Sequence, residues 1–214
     1  FQSEINSLNS HNAKATFYLS MGGGITDSNI QTWRSQGHEF GIHPPFYKPD
    51  TYPPYNITNL NQGFDVYLSW YDMAFSTIPS RTVRNHQVAW SGWTDAADIA
   101  VSHGFAMDAN FYHWGPWLQK PDGSWAHGYI TGSGQPMKFM RADGTILPYY
   151  QQLTQLVDEQ MFQINDGYPA EGVSASGAIT ISKQLIDSSE TGDYAAIMTQ
   201  FHVDYFGGDQ PWID

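Results

Sequence analysis

The chain has 214 residues, 41% of them hydrophobic, enough to bury one substantial core, so a single domain is the expectation. Nine Lys and Arg against 21 Asp and Glu give a formal net charge of −12, which repels phosphate backbones and anionic headgroups and argues against nucleic acid or a membrane as partner. With no cysteine, disulfides, thiolate nucleophiles and thiolate-bound zinc are excluded, and His, Asp and Glu remain as metal ligands.

In chain order, Ala15 to Ser20 is a short, β-prone apolar run. Thr26-Asp27 then offers an N-cap before Ile30 and Trp33, and Gly37 is a natural helix stop. Gly37-His38-Glu39-Phe40-Gly41-Ile42-His43 follows as a second buried strand that ends in an imidazole. A strand–helix–strand unit sets its strands parallel, and ligand-binding side chains in parallel α/β sheets collect at the carboxyl ends of the strands. His43 stands at such an end; its plainer role is a hydrogen bond to a loop carbonyl.

Pro44 to Gly63 holds five of the twelve prolines and is expected to be a long irregular loop, of the kind that is usually functional. It contains Asn56-Ile57-Thr58, a glycosylation sequon that matters only in a eukaryotic source. Phe64, Tyr67, Leu68, Tyr71 and Phe75 recur at helical spacing and predict a helix over 64–78 with a core-facing stripe. Thr82 to Arg84 is a short strand, Thr94 caps a helix running to Gly104, and Phe105 to Ala109 is a further strand.

Phe111 to Gly134, dense in Trp, Tyr and Gly, is read as a loop, and Met137–Met140 with Thr145–Tyr149 as a hairpin about Asp143-Gly144. Thr154 to Ile164 and Thr180 to Ser188 are helix candidates, and Ala195 to Phe201 is a final buried strand. No run has the length and apolarity of a transmembrane helix. Phe1 follows no basic and apolar leader, so any signal peptide is expected to have been removed or to lie outside this sequence. Low charge, many aromatics and abundant Asn, Gln, Ser and Thr suit an extracellular or periplasmic protein that faces carbohydrate.

His43, His86, Asp108 and His202 each fall at or just past the carboxyl end of a predicted strand, so in a barrel of parallel strands the four converge on one face. A divalent metal held there with an open position would bring the pKa of bound water toward ~7 and polarise an acyl carbonyl. His43 is the first choice of ligand. Trp90, Trp93, Trp114, Trp117 and Trp125 lie in or beside the loops at the mouth of such a barrel, where aromatic faces stack on sugar rings.

Lys14-Ala15-Thr16-Phe17-Tyr18-Leu19 and Gly37 to His43 together resemble the polysaccharide deacetylase family, the NodB-like carbohydrate esterases. There a KATFF segment and a helix precede GHEIGNH, which leads into a metal-binding histidine pair. Thr82-Val83-Arg84 resembles the strand of the family's arginine motif, Gly104 to Asp108 the glycine, aromatic and aspartate strand, and Ala195 to His202 the last strand with its histidine. The resemblance implies a partial or distorted (β/α) barrel, a divalent metal, zinc first, and removal of N- or O-acetyl groups from a polysaccharide or oligosaccharide. It makes His202 the general acid and gives Arg84 the task of orienting a catalytic aspartate; the plainer partner for His202 is Asp204.

Three departures bear on the site. The family's first strand, with its paired aspartates, is expected upstream of Phe1. Tyr47 occupies the position of the second metal histidine, and His86 stands where the arginine motif normally has a proline. The expected ligands are therefore His43 and His86, with Asp108 as substitute ligand or base beside Arg84, and Tyr47, Trp90 and Trp114 as substrate contacts. Two alternatives remain: a carbohydrate-binding relative without catalysis, and a glycoside hydrolase, which would need two acids about 5–10 Å apart.

Overall fold

The computed structural model describes residues 1–45, 57–90, 92–111, 135–158, 174–192 and 196–202. Contacts divide the chain into two compact units. The larger comprises Leu8–Asn110 and Met137–Gln151; the other takes in the described parts of Phe1–Ser7, Phe111–Pro136 and Gln152–Asp214. The result is a mixed α/β protein of helices and small sheets.

Helix α1 (Gln2–Ser10) has no counterpart among the sequence expectations. Polar residues hide its stripe, in which Ile5 is fully buried and Leu8 partly so. The turn that follows it passes through Asn12, whose left-handed φ of 54° a short amide side chain tolerates, and the Ala13 amide turns back to the Leu8 carbonyl at 2.8 Å.

In the larger unit β1 (Thr16–Leu19) and β2 (Glu39–Ile42) pair in parallel, Phe17 beside Phe40 and Leu19 beside Ile42. Between them α2 (Asp27–Ser35) starts at the predicted cap. The Thr26 hydroxyl accepts the Asn29 amide at 3.2 Å, and the Asn29 side chain accepts the Thr26 amide at 3.1 Å. This reciprocal box satisfies two donors that a helix start leaves without partners, so Thr26→Ala should cost about 1 kcal/mol in chemical denaturation. Phe40 stacks between Phe17 and Trp33, at 5.4 and 5.8 Å, and joins both strands to α2. Gly41 is small for a reason: a Cβ would come within 3.2 Å of the Tyr18 ring and 3.3 Å of the Thr82 carbonyl.

Helix α3 (Ile57–Ala74) begins earlier than expected, so Ile57 to Gly63 is helical and not part of a loop. The cause is visible in the stripe Leu60, Phe64, Tyr67 and Tyr71, all buried, which extends the helical period back among Asn and Gln residues. The helix stops four residues short of Ile78, whose position before Pro79 disfavours helical backbone. Strand β3 (Thr82–Val83) then runs beside β2, to which Ser80 N donates at the Phe40 carbonyl, 2.7 Å. After it come α4 (Asp95–Ser102) and β4 (Met107–Asp108), shorter than the predicted 105–109. Thr94 is the N-cap residue of α4 without a side-chain cap bond.

Strands β5 (Met137–Met140) and β6 (Ile146–Gln151) form the expected hairpin. Gly144 takes φ 87° in its turn, where the Asp143 carboxylate accepts the Thr145 amide at 2.9 Å. The sheet order is β3-β4-β6-β5, with β3, β4 and β6 parallel and β5 antiparallel at the edge. None of the sheets formed by the described strands closes into a ring.

In the smaller unit β7 (Leu156–Val157) pairs in parallel with β8 (Thr199–Gln200), and α5 (Ala175–Thr191) packs Ala178 and Ile181 on Leu156. Thr154 to Val157, the start of the predicted helix 154–164, is extended chain, since Gln152 to Val157 are all buried and a one-sided helix could not bury them all, and helical backbone begins only at Asp158. Gln155 shows how the polar members are satisfied: its amide donates to the Met198 carbonyl at 2.9 Å and its side-chain oxygen accepts Met198 N at 2.7 Å. Residues 159–164 of that prediction lie outside the described residues, as does Ala195 of the last strand. Helix α5 is longer than 180–188 at both ends, capped by the Ser174 hydroxyl on Gly177 N. No described helix is long and apolar enough to cross a membrane.

Candidate functional site

The β1–β2 ladder runs one step past β2, where His43 N donates to the Leu19 carbonyl at 3.0 Å and so fixes the backbone of the strand-end histidine. Its ring is fixed as well. Nδ1 lies 2.8 Å from the Arg84 carbonyl oxygen, and a carbonyl only accepts, so Nδ1 carries a proton. Metal-binding histidines commonly have one ring nitrogen tied to a backbone carbonyl in this way. The plainer role anticipated for His43, a bond to a backbone carbonyl, is the one the structure has.

His86 opens a single 3-10 turn (His86–Val88) just after β3, and its amide donates to the Pro44 carbonyl at 3.0 Å, which ties the chain past β2 to the chain past β3. The two imidazole rings consequently meet, centroids 5.3 Å apart and planes at 83°. Two imidazoles sharing a tetrahedral zinc at about 2.0–2.1 Å per nitrogen have centroids about 5 Å apart, so the pair fits the ion. An edge-to-face ring contact has the same spacing. Among the described residues no three His, Asp or Glu side chains form a metal-binding group. Asp108 therefore does not join the two histidines in one, and Tyr47 lies outside the described residues.

Beside the pair runs a buried polar bed made by the residues that end β3 and β4. Asn85 N donates to the Asn110 side-chain oxygen at 2.6 Å, Asn85 Nδ2 to the Ala89 carbonyl at 2.8 Å, and the Arg84 guanidinium to the Ala109 carbonyl. Asp108 is 0% exposed and accepts Asn110 N at 2.9 Å through Oδ1, while Oδ2 has no hydrogen-bond partner among the described residues. Burial pushes this carboxyl up from its ordinary 3.8 to about 7, against the opposing pull of the Asn110 amide, the Gln151 side chain and the Arg84 charge. Burial likewise raises the Tyr18 and Tyr149 hydroxyls, with the Asp108 charge adding to both.

His202, in the smaller unit, holds the carboxylate of buried Asp158 with Nδ1 at 2.9 Å and with its own amide at 2.6 Å. The carboxylate accepts, so Nδ1 carries the proton, while Nε2 lies 3.4 Å from the side-chain amide nitrogen of Gln200. The partner anticipated for it, Asp204, lies outside the described residues. Asp158 carried no signal in the sequence because it falls in the segment read as helix. Trp90 stacks at 5.2 Å on Phe139, which stacks in turn on Tyr149, so one face of Trp90 is taken by packing. Trp114, Trp117 and Trp125 lie outside the described residues.

No family model and no curated protein matches the chain. Among solved structures it is weakly similar to a candidate polysaccharide deacetylase of Bordetella bronchiseptica involved in O-antigen biosynthesis, with 16% identity and a TM-score of 0.45 over 77% of this chain. The chain spans 56% of that protein's length. A likeness at this level assigns neither fold nor activity.

Proposed function

We propose that the chain is a metal-dependent hydrolase that removes acetyl groups from a polysaccharide, on a frame of the distorted (β/α) barrel type. The observation that carries the reading is the His43–His86 pair, two imidazoles from neighbouring strand ends at 5.3 Å with His43 aligned by the Arg84 carbonyl. Imidazole donors without thiolates suit zinc first among divalent ions. His43 and His86 would hold it, and Tyr47 remains the candidate for a further contact with metal or substrate. When bound, such an ion lowers the pKa of coordinated water and polarises the acyl carbonyl, the two needs of acetyl hydrolysis.

The chain's own residues supply alignment and proton handling. Arg84 contributes twice, through the carbonyl that orients His43 and through the guanidinium bound at Ala109. Fully buried Asp108 suits a positioning role in this bed better than contact with substrate. His202, the proton donor that the family resemblance implies, is oriented by Asp158 within its own unit. An extracellular or periplasmic site of action fits such a substrate.

Acetate release from acetylated xylan and from chitooligosaccharides tests the reading. Turnover should disappear on dialysis against a chelator and return with zinc. Turnover indifferent to the chelator would sink it. The absence of a third His, Asp or Glu donor among the described residues favours one rival, a glycan-binding relative without catalysis. That rival predicts glycan binding with no acetate released at any zinc concentration.

A further inference from the structure

Val88 takes a left-handed φ of 49°, a conformation that a β-branched side chain adopts only under constraint. The other non-glycine residue with a left-handed φ among the described residues is Asn12, whose short amide tolerates it, so the strain falls on Val88. It lies beside the histidine pair, since Val88 closes the 3-10 turn that His86 opens. Strain of this kind persists only where the surroundings over-determine the backbone.

Here the surroundings can be named. Val88 N donates to the Asn85 carbonyl at 3.0 Å and Ala89 N to the His86 carbonyl at 3.2 Å. The Asn85 side chain adds a bond from outside the backbone: Nδ2 reaches across the turn to the Ala89 carbonyl at 2.8 Å and clasps its two ends together. Asn85 is anchored in turn on the end of β4, its own N–H on Asn110 Oδ1 at 2.6 Å and Asn110 N on Asp108 Oδ1 at 2.9 Å. Asn85, Ala89, Asn110 and Asp108 are all buried, where such bonds are strong and water does not compete for them. His86 is exposed and stands three residues beyond a strand of only two, so its place depends on the turn that carries it.

We infer that Asn85 is a positioning residue for the histidine pair: its side chain clasps the strained turn at Ala89 and so holds His86 against His43. Without the clasp the turn relaxes toward negative φ at Val88 and carries His86 away. The inference rests on the metal reading for the use of the pair, and not for the clasp itself. What the clasp contributes there is preorganisation, because two imidazoles that already meet lose little freedom when an ion joins them.

The test uses the full chain, first kept metal-free with chelator. A nuclear Overhauser cross-peak between the His43 and His86 ring protons is expected in the parent and lost in Asn85→Ala, while the amide resonances of Thr82, Val83 and Met107 keep their positions. Adding Val88→Gly to Asn85→Ala should bring the cross-peak back, because glycine adopts that φ without strain and the turn then needs no clasp. A merely structural Asn85 predicts no such rescue. Zinc affinity in calorimetry should follow the cross-peak, about tenfold weaker in Asn85→Ala and mostly recovered in the double variant, the scale of losing a ligand's supporting partner.

Val88→Gly and Val88→Ala leave Asn85 in place and test the strain even if Asn85→Ala does not fold. Both remove the side chain, and Val88→Gly should melt about 2–4 °C above Val88→Ala, reversing the usual order of glycine and alanine. Cross-peaks that behave as expected with no zinc bound by any variant or the parent would support the clasp and refute the metal reading. A cross-peak absent from the parent, one that survives Asn85→Ala, one that Val88→Gly does not restore, or a higher melting temperature for Val88→Ala would each overturn the inference.

Discussion

Replacing His43 with Ala should weaken zinc binding by about 10²-fold or more in a calorimetric titration, while the far-ultraviolet circular dichroism stays that of the parent. The scale follows from removing a whole donor, since losing only a supporting partner of a ligand already costs about 10–100-fold. The fold should survive because the His43 ring is only half-buried and its backbone bond to Leu19 does not depend on the side chain. What is lost structurally is the bond to the Arg84 carbonyl, worth about 1 kcal/mol. His86→Ala should weaken binding comparably, whereas Asp108→Asn should leave it within a few-fold. Unchanged zinc affinity in the His43 variant would mean that the ring pair is packing alone.

Asp108→Asn should instead change how stability depends on pH. The carboxyl is raised from 3.8 to about 7 in the folded chain, so the native state holds a proton that the unfolded state has released over that interval. Below about pH 4 both states are protonated and the contribution to stability is fully present; it is lost as pH climbs to about 7. At roughly 1.4 kcal/mol per unit the loss is on the order of 4 kcal/mol. An amide cannot titrate, and its oxygen can still accept Asn110 N. Its NH2 would occupy the place of an oxygen that has no partner among the described residues, a penalty that is constant with pH.

The stability of Asp108→Asn minus that of the parent should therefore be flat below about pH 4 and rise by a few kcal/mol by pH 7. Glu4, Asp27 and Asp143 have lowered carboxyl pKa values and act in the opposite direction, contributing stability that is lost in acid. They are common to both proteins and cancel in the difference. A difference independent of pH would show that Asp108 is ionised when folded.

Local rules made much of the larger unit legible. Thr26, Gly37 and Asp143-Gly144 mark a cap, a stop and a turn by their own chemistry, and the structure has each where the rules put it. His43 and His86 were placed by their positions after strands, and their encounter needed only that β2 and β3 be neighbours. Three features were not legible. The stripe of α3 reaches back through Asn and Gln residues that carry no apolar signal. The segment from Gln152 to Val157 is polar in half its positions, and it is extended because Gln152 and Gln155 find carbonyl partners forty-odd residues onward, at Ala196. Asp158 then meets His202 across the same separation, a pairing that no local pattern announces. Trp90 and Trp93 look alike in sequence; only the fold shows that Phe139 covers one and that the other is tethered by its N–H and left open.

The most direct measurement of the central claim is anomalous diffraction at the zinc edge from crystals of the zinc-loaded chain. The proposed centre predicts one dominant peak about 2.0–2.1 Å from Nε2 of His43 and at the same distance from a ring nitrogen of His86. A zinc position that neither histidine ligates, or no ordered zinc under saturating conditions, would contradict it.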